Sequence, residues 1–461
     1  MNEVAVAQLP PVPGSAPTPI IPIAPVETAA PHLYGMGELL NGYLIVFIVG
    51  FLVTLIATPF VRKLAIAMDI IDRPDQARKE HKYPIAYLGG LAVFFGVFAA
   101  IACSFVVVDG PGGELGPVPL SIIIGIFAIT FTGLADDVWG WDPRLKIMGQ
   151  LVAAAALALE DIGTRVAEGA LLPLFGEPTT VLANLGPLVL NSGDIYYWSG
   201  TALIAVFVLG GCNAMNLIDG LDGLCSGIAG IMASALLVLA LLLASSTAIV
   251  DPFESLAGVR IVLCLALLGA VLGFLPWNFN PAVIFLGDCG SLLIGYLVVV
   301  IILLLGEQGQ THLVFAGLII FSIPIMDTSL AILRRKLAGV SMSQADANHI
   351  HHLAKRALGG VKKAVLALYG LAFMFGVLGV LLGALAIEQI VRLRIVYVAA
   401  IVLFAAIAAV SLKTALRNRW SAQLGASPGT GGEDAAAAGP NDAAANAAKY
   451  PTGSANATKT P

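Results

Sequence analysis

Long apolar segments recur along the whole chain and are separated by short polar ones. Each is close to the roughly 20 residues that a helix needs to cross the hydrocarbon core of a bilayer. We therefore predict an all-α polytopic membrane protein with about eleven transmembrane helices. Their predicted ranges are 43–63, 87–108, 119–135, 145–160, 200–218, 224–246, 258–275, 289–305, 312–333, 364–386 and 394–412. The third, fourth and eighth segments are short and interrupted, so each is either a full span or a half-helix that lines a cavity.

Composition supports this class and divides the chain into three parts. Hydrophobic residues make up 58% of the 461 positions and charged residues 11%. Residues 1–40, rich in Pro and Ala, are predicted to be a disordered outer tail, and 421–461 a disordered cytoplasmic tail. Residues 41–420 form the predicted transmembrane domain, which carries every candidate catalytic residue. In the longest outer loop, Leu185 to Tyr197 is predicted to form a hairpin, with Asn191-Ser192-Gly193-Asp194 in its middle.

Basic residues occupy alternate short loops, which orients the chain in the membrane. The loops at 109–118, 247–256 and 306–311 contain no Lys or Arg, whereas the loops between them are basic. Because short basic loops stay in the cytoplasm, we place the N-terminus outside and the C-terminus inside. A bacterial inner-membrane, multi-pass protein fits this pattern. Nothing in the composition indicates a nucleic-acid partner.

Four polar clusters fall on the predicted cytoplasmic side, at the ends of apolar segments. Carboxylates are expensive there, and their usual explanation is functional. Together the clusters predict a catalytic cleft for a phosphorylated substrate at the cytoplasmic face. The clusters are Asp136 with Asp137; Asn213, Asn216, Asp219 and Asp222; Asp288; and His349, His351 and His352.

The paired carboxylates Asp136 and Asp137 can hold a divalent cation, or one can act as a base while the other orients a ligand. The alternative is a solvated turn. Lys146, ten residues after Asp136, either binds a phosphate or anchors the loop at the membrane surface. In the first cytoplasmic loop, Arg78, Lys79 and His81 allow the same two interpretations.

The second cluster is the most specific single motif. Asn213 and Asn216 share one helical face, and Gly220 and Gly223 then break the helix. Asp219 and Asp222 flank the first break. Such hard oxygen ligands suit Mg²⁺ or hydrogen bonds to nucleotide and sugar hydroxyls.

The remaining clusters add a third carboxylate and three imidazoles. Asp288 lies among glycines at a helix N-terminus, a place for a phosphate or its metal, or simply a helix cap. The His349-Ile-His-His352 segment lacks the partners of a zinc site, and pyrophosphate binding fits it better. Asp327, inside the ninth segment, is interpreted as an intramembrane ion pair with Arg334.

At this point the ordered motifs resemble a known family. Together they resemble the polyprenyl-phosphate N-acetylhexosamine-1-phosphate transferases (glycosyltransferase family 4), specifically the bacterial undecaprenyl-phosphate GlcNAc-1-phosphate transferases. The resemblance covers about 43–412. The motifs are Asp72-Arg-Pro with Arg78-Lys79-Glu-His81, Gly133-Leu-Ala-Asp136-Asp137, Asn213 to Asp222, Gly287-Asp288-Cys-Gly-Ser291 and His349-Ile-His-His352.

The resemblance implies a reaction, a metal and roles for the residues. GlcNAc-1-phosphate would move from UDP-GlcNAc to undecaprenyl phosphate, with release of UMP, to initiate a cell-envelope polysaccharide. The metal would be Mg²⁺, with Mn²⁺ as the alternative, and a homodimer is left open. Asp288 and Asn216 would hold the metal, Asp136 and Asp137 would lie beside the acceptor phosphate, and Lys146 would bind phosphate. Asp219 and Asp222 would position the nucleotide-sugar, and His349, His351 and His352 would contact the sugar-phosphate region.

One departure leaves the donor open. The GlcNAc branch usually carries a basic residue shortly before its histidines, whereas this chain reads Asp346-Ala347-Asn348-His349. Another UDP-N-acetylhexosamine is therefore an alternative donor, as is UDP-MurNAc-pentapeptide, although that branch typically reads His-His-x-Glu. An ion-coupled transporter is the alternative from another class, but its charged residues should lie near mid-membrane.

Overall fold

The computed structural model describes residues 34–73, 84–107, 118–186, 188–246, 256–339 and 349–425. Within these ranges the chain is almost entirely helical, with two short antiparallel hairpins. The helices are α1 (Met36–Ala67), α2 (Gly89–Val107), α3 (Leu120–Trp139), α4 (Pro143–Leu159), α5 (Val166–Phe175), α6 (Ser192–Ile218), α7 (Leu224–Ser246), α8 (Ala257–Asn278), α9 (Gly287–Leu305), α10 (Thr311–Ile320), α11 (Ser322–Ala338), α12 (Ile350–Leu358), α13 (Val361–Ile387) and α14 (Leu393–Gly425). The strands are β1 (Ile71–Asp72), β2 (Ile85–Ala86), β3 (Val181–Leu185) and β4 (Leu188–Asn191).

Nine helices in these ranges are long and apolar enough to cross a membrane, and the bent pair α10–α11 would bring the number to ten. The prediction of a helical, polytopic membrane protein is thus confirmed, whereas the count of eleven is not. The difference lies in α4, the fourth predicted span. It has 17 residues, fewer than the roughly 20 that a span needs.

The broken span is not one of the three that the sequence indicates. Both α3 and α9 are continuous helices, whereas the predicted ninth helix divides into α10 and α11 at an angle of 76°. Pro324 lies in the first turn of α11. Because proline has no N–H to donate and its ring clashes with the preceding turn, it favours a break at this point.

The predicted outer hairpin lies several residues earlier than expected. Its strands β3 and β4 meet with Leu185 opposite Leu188, and α6 already begins at Ser192. The polar residues expected to form the turn instead cap this helix, since the Asp194 carboxylate accepts a hydrogen bond from the Asn191 N–H at 2.8 Å. A helix cap and a hairpin turn use the same residue types, which explains the error.

The predicted tails lie mostly outside the described residues. Of residues 1–40, positions 34–40 are described, and those from Met36 onward belong to α1. At the other end α14 continues to Gly425. The first-loop candidates Arg78, Lys79 and His81 lie outside the described ranges, so their binding role stays a prediction.

Helix α9 is the centre of the bundle. It contacts α2, α3, α6, α7, α8 and α10, and 94% of its membrane-length segment is buried. Glycines let two neighbours approach it closely. A Cβ on Gly133 of α3 would lie 2.5 Å from the Cys289 Cα, and one on Gly295 would lie 2.5 Å from the Gly211 oxygen of α6. Small residues at helix contacts are typical of membrane bundles, and here they fix the N-terminus of α9 against α3.

Candidate active site

The corner between α3 and α4 brings the first carboxylate pair next to Lys146. Asp136 and Asp137 belong to the last turn of α3, which Gly140 ends with a φ of 64°. Asp142 then caps α4 by accepting a hydrogen bond from the Arg144 N–H. As a result, the Lys146 ammonium, in the first turn of α4, lies 3.1 Å from an Asp136 carboxylate oxygen.

Asp288 completes this cluster from the start of α9. Its carboxylate forms an ion pair with Lys146 and accepts a hydrogen bond from the Asn216 amide at 2.7 Å. The same amide donates to Ser291 at 3.0 Å. The side chains of Lys146, Asp136 and Asp288 are 20–25% exposed, so a ligand can reach them. Four predicted site residues therefore meet in one place, which we call the carboxylate–lysine cluster: Asp136, Lys146, Asn216 and Asp288.

Asp137 lies beside the cluster but is occupied by the backbone of α9. Its two carboxylate oxygens accept hydrogen bonds from the N–H groups of Asp288 at 2.8 Å and of Cys289 at 3.0 Å. Gly287 makes this approach possible, because it has a φ of 74° and a Cβ there would lie 2.7 Å from an Asp137 oxygen. The carboxylate stabilises the positive end of the helix dipole and ties α3 to α9.

A turn follows α6 and presents Asp219, which caps the helix C-terminus. Burial, together with the nearby carboxylates of Asp288, Asp137 and Asp222, raises the pKa of its carboxyl to about 8. Near neutral pH this carboxyl is thus largely protonated before any cation binds, and it can donate a hydrogen bond.

Asp222, on the same turn, is held by the segment that leads into α9. Its carboxylate accepts hydrogen bonds from the Asn280 amide at 2.8 Å and from the Ala282 N–H at 3.0 Å. The turn itself is fixed at Gly223, whose N–H donates to Asn278 at 3.1 Å and whose carbonyl accepts the Tyr369 hydroxyl. Asp222 therefore shapes the wall of the site.

Asn213 does not join the carboxylate–lysine cluster. Its amide donates to the Gln150 side chain at 2.9 Å and to the Leu209 carbonyl at 2.8 Å, which ties α6 to α4. It lies one helical turn before Asn216, so the two amides do share a face, as predicted. Its substrate-binding role stays a prediction.

The three histidines differ in their surroundings. The rings of His349 and His351 are buried, with relative exposures of 7% and 2%. Burial lowers the pKa of His351 to about 4, although the Asp327 carboxylate opposes this shift. His352 lines the cavity described next. Of the three, His352 is thus placed to contact a ligand there.

A cavity of about 840 Å³ opens beside the cluster, between the turn after α6, the segment before α9 and α12. Its volume is in the range of pockets that hold nucleotide-sized ligands. The polar groups on its wall include carboxylates, an amide, an imidazole and an ammonium group. They belong to Asp219, Asp222, Asn280, His352 and Lys355.

The carboxylate–lysine cluster has the chemistry of a magnesium site that a substrate completes. Within the described ranges no group of three or more His, Cys, Asp or Glu side chains could hold a metal. Mg²⁺ is usually bound by one or two carboxylates together with substrate phosphates and water. Asp136 and Asp288 supply two carboxylates, and the Lys146 ammonium between them shows that this position stabilises a cation. The donor set therefore fits Mg²⁺.

Two positions important for the site were not predicted from the sequence. Asn280 holds Asp222, and Tyr369 of α13 fixes Gly223. Asn280 follows Asn278 and Phe279 in the segment that precedes α9, and two asparagines in an apolar chain were a usable signal. Tyr369 sits in an apolar helix and gave none.

The fold and the site together define a multi-pass membrane protein with a polar centre where several helices end. The sequence model described as "Glycosyl transferase family 4" matches residues 119–306. This range contains the carboxylate–lysine cluster and both aspartates of the turn after α6.

Curated relatives extend the match over most of the chain. The probable undecaprenyl-phosphate N-acetylglucosaminyl 1-phosphate transferase of Bacillus subtilis is 32% identical over 343 residues, covering 73% of this chain and 84% of the relative. The decaprenyl-phosphate N-acetylglucosaminephosphotransferase of Mycolicibacterium smegmatis is 32% identical over 355 residues, covering 73% and 80%. The phospho-N-acetylmuramoyl-pentapeptide-transferase of Bacillus mycoides is 27% identical over 348 residues, covering 74% and 96%. The chain belongs to glycosyl transferase family 4, and its relatives are named as sugar-phosphate transferases, which supports an enzymatic role.

Proposed function

We propose that this protein transfers GlcNAc-1-phosphate from UDP-GlcNAc to undecaprenyl phosphate, releasing UMP, at the cytoplasmic face of a bacterial inner membrane. The observation that carries the proposal is the carboxylate–lysine cluster at the edge of a nucleotide-sized cavity. The relatives named for GlcNAc-phosphate transfer support the choice of donor and of a polyprenyl phosphate acceptor.

In this reaction an oxygen of the acceptor phosphate attacks the sugar-bound phosphorus of UDP-GlcNAc. A new P–O bond forms, and the bond to the leaving UMP breaks, so the lipid gains a diphosphate-linked sugar. The acceptor phosphate is itself a competent nucleophile. The protein therefore has to align two anions and neutralise their charge, and it needs no covalent intermediate.

The side chains can be assigned to these tasks. Mg²⁺, when bound, would neutralise charge on the donor diphosphate. Asp288 and Asp136 would hold it, and Asn216 orients Asp288 through its hydrogen bond. Lys146 would bind a phosphate oxygen, because its ammonium supplies a positive charge at this cluster. Asp137 would act by holding the N-terminus of α9 in place.

The location of the site suits a lipid substrate. The cluster lies at helix ends, at the last turn of α3 and the first turns of α4 and α9. A polyprenyl chain can stay in the bilayer while its phosphate reaches such a position. This geometry also argues against an ion-coupled transporter, whose binding residues belong near the middle of the membrane.

UMP release by the purified protein tests the proposal. The assay contains undecaprenyl phosphate and MgCl₂, and it compares UDP-GlcNAc, UDP-GalNAc and UDP-MurNAc-pentapeptide. We expect release with UDP-GlcNAc and its loss in EDTA, restored by excess Mg²⁺. Release only with UDP-MurNAc-pentapeptide would refute the donor, and release that persists in EDTA would refute the metal. Asp288→Asn is the inactive control.

A further inference from the structure

Asp327 is a fully buried carboxylate whose contacts go to the histidine segment. It lies on α11, the second half of the broken span, and is 0% exposed. One oxygen accepts a hydrogen bond from the Ile350 N–H at 2.7 Å, and the other is 3.0 Å from His349 Nδ1. The same oxygen lies 3.9 Å from His351 Nδ1. The sequence predicts an ion pair with Arg334, and the contacts that the structure describes for Asp327 go to the start of α12.

These contacts constrain both the helix and the imidazole. Ile350 is the first residue of α12 and His349 precedes it, so one carboxylate fixes the backbone and the ring at the same point. A carboxylate has no hydrogen to donate. With Asp327 ionised and His349 neutral, the hydrogen in the 3.0 Å contact sits on His349 Nδ1, and Nε2 is the acceptor. Histidines that act on ligands are commonly oriented by such a partner.

The anchored ring is the inner end of a stack that reaches the cavity. His349 and His351 are parallel, with ring centres 5.5 Å apart and an angle of 6°. The rings of His351 and His352 follow with centres 4.4 Å apart and are tilted by 49° to each other. His351 also packs against the turn after α6, because a Cβ on Gly220 would lie 2.2 Å from its Nε2. The position of Asp327 therefore sets the position of His352 in the cavity wall.

We propose that Asp327 is a positioning residue for the transferase. It fixes the Nδ1–H tautomer of His349 and holds the three neighbouring imidazoles against the site, where His352 and Lys355 face the sugar-phosphate part of the donor. The proposal rests on the proposed function for its kinetic consequence. The tautomer of His349 is a property of the protein alone.

The variant Asp327→Asn tests the orientation of the His349 ring while it keeps the packing around residue 327. The amide keeps the volume and one acceptor for the Ile350 N–H, but its NH₂ group cannot accept a hydrogen from His349 Nδ1. We expect kcat for UMP release from UDP-GlcNAc to fall at least about tenfold, with the KM for the donor changed less than about threefold. Nitrogen-15 NMR of histidine-labelled protein should show His349 changing from the Nδ1–H to the Nε2–H tautomer.

Two control variants show whether an effect of Asp327→Asn is specific to the contact with His349. Ser322→Ala lies at the start of the same helix, and the Ser322 hydroxyl donates to the Leu318 carbonyl of α10 at 3.3 Å, away from the histidine segment. This variant should keep wild-type kinetics and the wild-type spectrum. His349→Asn, which retains an amide donor for Asp327, assigns the His349 signal.

Three results would overturn the proposal. They are a wild-type His349 found as the Nε2–H tautomer or doubly protonated, an Asp327→Asn variant with wild-type kcat, and equal losses in Asp327→Asn and Ser322→Ala. If Asp327→Asn gives too little folded protein for kinetics, the wild-type tautomer alone decides. A wild-type protein that releases no UMP would refute the proposed function, and the tautomer would still test Asp327.

Discussion

The changes Asp136→Asn and Asp137→Asn should impair the protein in different ways, although the two residues are adjacent. Asp137 accepts two backbone hydrogen bonds from the start of α9, whereas Asp136 contacts the Lys146 ammonium and is 21% exposed. Asparagine at 137 offers one acceptor to two N–H donors, so one of them loses its partner. Asparagine at 136 removes one of two carboxylates that share a single ammonium.

The magnitudes follow from these contacts. A hydrogen bond to a charged group contributes about 1.5–3 kcal/mol, and an anion at a helix N-terminus about 0.3–1 kcal/mol more. We therefore expect Asp137→Asn to destabilise the protein by about 2–4 kcal/mol. Asp136→Asn should change stability by less than about 1 kcal/mol, because its ion pair is partly exposed.

Both variants should lose activity, for different reasons. Asp136→Asn removes a group that would hold Mg²⁺. Asp137→Asn lets the N-terminus of α9 shift, and a displacement of about 1 Å at Asp288 can cost about 100-fold in rate. The assay pairs the thermal unfolding midpoint in one detergent, without Mg²⁺, with UMP release. A wild-type midpoint for Asp137→Asn, or equal destabilisation by both variants, would refute this reasoning.

Three further changes test other parts of the site. Gly133→Ala places a methyl 2.5 Å from the Cys289 backbone, and we expect about 1–3 kcal/mol of destabilisation with reduced UMP release. Lys146→Gln removes the cation shared by two carboxylates, so turnover should be lost while the rise in unfolding midpoint caused by MgCl₂ becomes larger. Burial lowers the pKa of His351 to about 4, so the folded state binds fewer protons than the unfolded state between pH 6.5 and 4. The stability that this provides above pH 6.5 is lost as the pH falls, and His351→Gln should reduce that loss by about 3 kcal/mol at most.

Each of these predictions has a control or an opposing result. Gly210→Ala adds a methyl with no atom within 4 Å, so it should leave activity unchanged and should not lower stability. A Lys146→Gln protein that Mg²⁺ stabilises less than wild type would contradict the shared-cation interpretation. Identical pH profiles of the unfolding midpoint for wild type and His351→Gln would show that this imidazole does not control acid stability.

Local patterns in the sequence predicted the elements and the residues of the site. The length of the apolar segments identified most of the membrane spans. The sequence also singled out four polar residues that meet in the structure: Asp136, Lys146, Asn216 and Asp288. Such features depend on neighbouring residues, because a span needs only a run of apolar side chains and a buried carboxylate is conspicuous in it. The same locality explains the misplaced hairpin, since Asn191 and Asp194 suit a turn and a helix cap equally well.

The tertiary structure decided which role each of these residues has. Asp137 bonds to backbone 151 residues away, and Asp327 of α11 meets His349, just before α12, 22 residues further along the chain. Partners this distant are selected by the packing of whole helices, which no local pattern records. The sequence by itself therefore determined that the chain forms a bundle of membrane helices. It also determined which chemical groups are available for the candidate active site. Only the tertiary structure decided which groups bind each other and which face the ligand, because that depends on the close approach of α3, α6 and α9.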